Sequence, residues 1–82
     1  MVSSALLAGE QVHAFEFVVS ASTLITKHVV SKLPLPKGSM ICLIVRNHAP
    51  IIPQTDTTIQ PGDRVLAVSL PTASRALEEL FD

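Results

Sequence analysis

Nucleophilic catalysis needs a hydroxyl or thiol, a base to take its proton, and an acid to orient that base. The chain holds each type: Ser20 or Cys42, then His13, His28 or His48, then Asp56 or Asp63. Their spacing singles out no set. There is no Gly-rich phosphate loop, no H-E-x-x-H run and no carboxylate pair in a recognisable frame. The chain is therefore expected not to be an enzyme. Metal binding finds no frame either. The histidines stand 15 and 20 residues apart, without a Cys-x-x-Cys or an i, i+4 His pair. Glu10, Glu16, Asp56 and Asp63 would make an oxygen site only if folding or dimerisation gathered them; otherwise they form a solvated acidic surface. No metal is expected.

Arg46-Asn47-His48 is the more pointed constellation. It stands where an apolar strand emerges into a turn, and it offers a planar cationic fork beside two adaptable hydrogen-bonding side chains. That combination suits a phosphate or an adenine. The alternative is a turn and no more, with Asn47 and His48 tolerating unusual dihedrals and Arg46 pairing with a surface acid. Cys42, inside Met40-Ile41-Cys42-Leu43-Ile44-Val45, is read as a small buried apolar group with no cationic neighbour to activate it. A single cysteine allows no internal disulfide, which fits a reducing compartment.

The elements that must position these residues follow from periodicity. Residues 1–12 have no clear period and read as a lead-in. From His13 to Ser20, Phe15, Phe17 and Val19 alternate with Glu16 and Val18, the pattern of a half-buried strand. Leu24, Ile25, His28, Val29 and Leu33 fall at helical spacing after the cap candidates Ser20 to Thr23, so a helix is predicted there, with His28 as a boundary residue. Pro34-Leu35-Pro36-Lys37-Gly38 must end it as a rigid loop.

Ser39 to Asn47 is then a strand apolar on both faces. Met40, Cys42 and Ile44 are expected on one side, Ile41, Leu43 and Val45 on the other, as in a central strand covered on both sides. Ile51-Ile52 begins a short return, and Pro61-Gly62 is a turn pair. Asp63 to Leu70 is another strand. Pro71 opens a last helix carrying Ala73, Ala76, Leu77, Leu80 and Phe81 on one stripe. The predicted class is α+β, a small β-sheet with two flanking helices in the order β-α-β-β-β-α.

Composition sets the outer bounds. Eighty-two residues make one small domain, and 48% hydrophobic content excludes disorder. Net charge is −1, with no Trp or Tyr and three Phe, so neither a phosphate-coating surface nor a base-stacking platform is present. No nucleic-acid polymer is expected as a partner. No segment reaches the apolar length of a membrane span, and the first residues lack the basic and apolar regions of a signal peptide. The apolar content exceeds what one small core can hide, which predicts a homodimer.

From Phe15 to Phe81 the chain resembles the C-terminal RCK domain, also called TrkA-C. The resemblance is carried by Phe15-Glu16-Phe17-Val18-Val19, by Val30-Ser31-Lys32-Leu33-Pro34-Leu35-Pro36-Lys37-Gly38 and by Ile41-Cys42-Leu43-Ile44-Val45-Arg46. It continues through Ile51-Ile52-Pro53, Asp56-Thr57-Thr58-Ile59, Pro61-Gly62-Asp63-Arg64-Val65-Leu66-Ala67-Val68 and Leu77-Glu78-Glu79-Leu80-Phe81. It implies a regulatory, dimeric domain over residues 13–82, without chemistry of its own. Its parent would be a potassium channel, potassium-uptake system or cation/proton antiporter, placing it in the cytoplasm at the inner face of the membrane.

Some similar domains bind cyclic di-AMP between two copies, in a groove lined by the loop after the first helix and the start of the next strand. The matching stretch here is Leu33 to Ile41. On that reading Lys37 and Arg46 would meet phosphates, Asn47 and His48 an adenine edge, and Leu35 and Ile41 its face. Other members bind calcium, and others show no known ligand; the alternative for this chain is a purely structural dimerisation domain.

Overall fold

The alternation in residues 13–20 and 63–70 makes strands that pair with each other at the centre of an antiparallel sheet. The computed structural model describes residues 3–23 and 28–81. Its five strands are β1 (Ser3–Leu7), β2 (Val12–Val18), β3 (Ser39–Arg46), β4 (Ala49–Ile51) and β5 (Arg64–Ser69), in the order β1-β2-β5-β3-β4. Pairing of β5 with β2 sets Phe15 opposite Ala67 and Phe17 opposite Val65; on its other side Ile41 meets Ala67 and Ile44 meets Val65. These six residues are buried on one face. Leu33, Ile59, Leu77 and Phe81 complete the same core. The class is α+β, as predicted.

Helix α1 (Ser74–Leu80) follows a 3₁₀ turn at Pro71–Ala73, where Pro71 needs no N–H partner. It is too short to persist alone. What holds it is Leu77, fully buried, and Phe81, whose ring stacks on Phe17 at 4.3 Å between centroids and 3° between planes.

Five expectations are corrected. The lead-in carries β1, joined to β2 through a turn in which Ala8, Gly9 and Glu10 all have positive φ and Gln11 N–H donates to Leu7 O at 3.1 Å. The first helix is not seen from residue 28 onward, residues 24–27 lying outside those described. There Val29 bridges Thr58, and Val30–Lys32 is a single 3₁₀ turn. The β-branched Val29 and Val30 favour this extended entry. Thus α1 is the one α-helix among the described residues.

The strict alternation of β3 also fails. A β-bulge shifts the register between Ile41 and Leu43, so Ile41 and Ile44 share the core face while Met40 and Leu43 lie opposite Val68 and Leu66. Cys42 is the extra residue and is exposed rather than buried. Finally, among the described residues the sheet is covered on one face only: Met40, Leu66 and Leu70 on or beside the other face are exposed.

Candidate functional site

The predicted residues sort to the two ends of β3. At its C-terminal end Asn47 and His48 have φ of 52° and 65°, the left-handed pair of a two-residue hairpin turn. Both are exposed. Arg46 turns away from them. Its Nε donates to Asp63 Oδ1 at 2.9 Å, and its Nη2 donates to Asp63 Oδ2 and to the Thr58 carbonyl, each at 2.8 Å. Asp63, 1% exposed, also accepts from the Gln60 N–H at 2.9 Å.

The acid opposite Arg46 is therefore buried. Burial alone would push the Asp63 carboxyl up. The Arg46 hydrogen bonds, the Gln60 N–H and the Arg46 charge outweigh it and hold the group below its ordinary value. The hydrogen bond to Asp63 in turn raises Arg46. Arg46 is a clamp across the β4–β5 connection, with its Nε and Nη2 engaged and its side chain 26% exposed.

At the other end of β3 stands the proline-stiffened loop. Lys37 is exposed and makes no ion pair among the described residues. Ser39 Oγ donates to Pro36 O at 2.6 Å, and the Leu70 N–H donates to Gly38 O at 2.8 Å. Gly38 has φ of 90°, and a Cβ there would stand 3.2 Å from Leu70 Cδ1. The tight approach shapes a groove of about 230 Å³, lined by Val12, Gly38, Ser39, Met40, Val68 and Leu70 among others.

The two halves of the expected ligand set do not meet within one chain. The eight-residue β3 separates Lys37 from Arg46, Asn47 and His48 by roughly 25 Å. Nor can Ile41 cover an adenine, because it is 7% exposed and belongs to the core. Leu35 is half-buried and packs against that core.

The sequence reading asked for cover on both faces of β3, and among the described residues the structure leaves one sheet face open. A second groove there, about 320 Å³, is lined by Ala5, Leu7, Ala14, Cys42, Leu66 and Val68 among others. The signal was present, since Asp63 to Leu70 is apolar at both alternating sets of positions, which demands cover on both sides. The Arg64–Glu16 ion pair borders this face.

His13 Nδ1 lies 3.1 Å from Ser74 Oγ, itself 2.9 Å from Ser69 Oγ. That grouping has the types of a catalytic relay, but no carboxylate orients the ring among the described residues. Ser69 is buried, and His13 lies against Phe15 at 4.3 Å. It fastens the start of α1 to the sheet. No group of three His, Cys, Asp or Glu among the described residues is placed to hold a metal ion.

Comparison with known proteins gives a consistent picture. The sequence pattern of the TrkA-C domain matches residues 14–82. Trk system potassium uptake protein TrkA homolog 2 of Methanosarcina mazei is 34% identical over 77 residues, which is 94% of this chain and 17% of that protein. TrkA homolog 1 of the same organism is 32% identical over 75 residues, 92% of this chain and 17% of its own length. The Trk system potassium uptake protein TrkA homolog of Archaeoglobus fulgidus is 38% identical over 64 residues, 78% of this chain and 15% of that protein. The chain thus spans 15–17% of the length of these relatives. A solved structure, "Structure of RCK domain with cda", superposes with a TM-score of 0.70 at 18% identity, covering 84% of this chain and 97% of that one.

Proposed function

Because this chain belongs to the TrkA-C domain family, we propose that it is the regulatory, dimerising module of a potassium-uptake or related monovalent-cation transport system. On this reading its parent protein holds it at the cytoplasmic face of the membrane. The observation that carries the reading is the uncovered apolar face of the sheet. Ala5, Leu7, Ala14, Met40, Leu66 and Val68 form a contiguous apolar surface of a kind small monomers rarely leave wet. Two copies packed face to face would cover it. No helix among the described residues is long and apolar enough to cross a membrane.

The same two-fold would bring the Gly38-Ser39-Met40 grooves of two copies together with Lys37 at the rim. A two-fold-symmetric anionic dinucleotide fits such a site, and cyclic di-AMP is the first ligand to test. The fold match to an RCK domain solved with cda supports testing that ligand first. Arg46, Asn47 and His48 lie at the far end of β3 from this groove, so Lys37 is the residue of the expected set placed at its rim. Calorimetry is expected to give one cyclic di-AMP per dimer at micromolar affinity, on the order of −8 kcal/mol, weakened by Lys37→Ala. ATP, AMP and calcium serve as competitors. No heat with any of them would leave an assembly domain.

Cys42 reports the dimer directly. It is exposed in the single chain and lies on the face to be covered. Thiol labelling of the folded protein should be fast at nanomolar concentration and slow as concentration rises through the dimerisation range. Leu66→Lys should abolish the slowing. Fast labelling at every concentration, with the 8.8 kDa mass of one chain in light scattering, would rule out the face-to-face dimer.

A further inference from the structure

We propose that the cleft between the β3–β4 turn and the Pro61-Gly62 turn is a binding site for a phosphate group. It stands at the opposite end of β3 from the Gly38-Ser39-Met40 groove and rests neither on that groove nor on the dimer. The cleft is about 240 Å³ and is lined by Val45, Asn47, His48, Gly62 and Arg64. Three segments meet there, because the sheet register sets Arg64, at the start of β5, opposite Val45 near the end of β3. The volume lies below that of pockets for drug-sized ligands, about 300–1,000 Å³, and suits a single phosphate group.

The lining says which ligand it takes. Arg64 commits only Nη1, to Glu16, and its Nε–Nη2 edge has no partner among the described residues. The side chains of Asn47 and His48 likewise make no hydrogen bond among the described residues. No carboxylate lines the cleft. Asp63, the acid next to Arg64 in sequence, is turned inward and closed on Arg46. A guanidinium with a free edge, an amide and an imidazole, with no acid among them, select an oxyanion. The backbone adds a second reason. In a two-residue hairpin turn with positive φ at both positions, the second residue is ordinarily glycine. Here His48 takes that place at 65°, after Asn47 at 52°. The imidazole thus stands against the local backbone preference, with no hydrogen bond to repay it, which marks a functional position.

Titration of the 82-residue chain with inorganic phosphate, exchanged for chloride at constant ionic strength, tests the site by amide NMR. Saturating shifts are expected at Asn47, His48, Gly62 and the Arg64 Nε–H. Arg64→Ala should weaken binding about tenfold through the lost charge-assisted hydrogen bonds. Glu16→Gln, outside the cleft, removes the acid that competes for Arg64 and should tighten binding about threefold. His48→Gly should raise the melting temperature by about 2–4 °C, relieving the turn, yet weaken phosphate about threefold. Lys37→Ala should change nothing here, which separates this site from the cyclic di-AMP groove. AMP is the second probe. Tighter binding of AMP than of phosphate at the same residues identifies a nucleotide as the source of the group; equal binding identifies phosphate alone. Shifts that do not saturate, binding unchanged in both Arg64→Ala and His48→Gly, or binding lost in Lys37→Ala would mean an adventitious ion only and overturn the site.

Discussion

Arg46→Ala is expected to destabilise the fold by about 3–5 kcal/mol, the cost of leaving a buried charge without its partner. Asp63 is 1% exposed and receives two hydrogen bonds from Arg46, so its charge would keep only the Gln60 N–H. A domain of this size has a total stability of roughly 5–10 kcal/mol, so the variant should melt at least about 15 °C lower. The pH dependence carries a sign that separates this cause from lost packing. In the native chain the Asp63 carboxyl is held below its ordinary value. Its contribution is therefore full above the unfolded-chain value and is lost as pH falls through the lower folded one.

In Arg46→Ala, burial acts on Asp63 without the opposing cation, so protonation stabilises the folded state. The gap between the two proteins should narrow as pH falls from 7 towards about 4. Asp63→Asn, which keeps an acceptor for Gln60 but discards the charge, should cost less and show no such narrowing. Urea melts across this range measure all three. A gap that stays constant with pH would assign the loss to packing alone.

Phe17→Ala should cost a similar amount, about 3–5 kcal/mol, through the cavity left at the centre of the core. Phe17 stands between Phe15, 5.5 Å away by ring centroids, and Phe81 at 4.3 Å. Its loss removes the platform on which the last residue of the α1 stripe rests. Because α1 is seven residues long and has no side-chain cap, it should melt with the rest of the core. Phe17→Leu refills most of the volume and should cost about 1–1.5 kcal/mol. Chemical denaturation followed by circular dichroism gives both values. A small loss in Phe17→Ala with α1 intact would show that Leu77 alone docks the helix.

Much of this architecture was legible because pattern and burial agree. Phe15, Phe17, Val65 and Ala67 alternate and face the core, and Leu77 and Phe81 keep the helical spacing that docks α1. Pro61-Gly62 forms the expected turn, closed by Asp63 N–H to Gln60 O at 3.1 Å. The failures have local causes. Ser3–Leu7 has no alternation to read, because its exposure is uniform and its strand state comes from pairing with β2. Cys42 was misplaced because a bulge leaves no compositional mark in an apolar run. The buried partner of Arg46 was not legible, because a side chain's partner 17 residues away cannot be inferred from strand periodicity. The turn reading of Asn47 and His48, by contrast, needed only local dihedral preference and agrees with their positive φ.

The bulge also determines where β3 tolerates a change of length. From Ile41 to Leu43 the strand advances two residues while β5 advances one, from Ala67 to Leu66. Removing Cys42 would leave Ile41, Leu43 and Ile44 in plain alternation, each still opposite its present neighbour. Removing a residue between Leu43 and Arg46 would instead reverse the facing of those on one side of the gap and carry Ile44 or Arg46 off the core face or its ion pair. Within this strand, position 42 is the point at which one codon could be lost without turning any other side chain around.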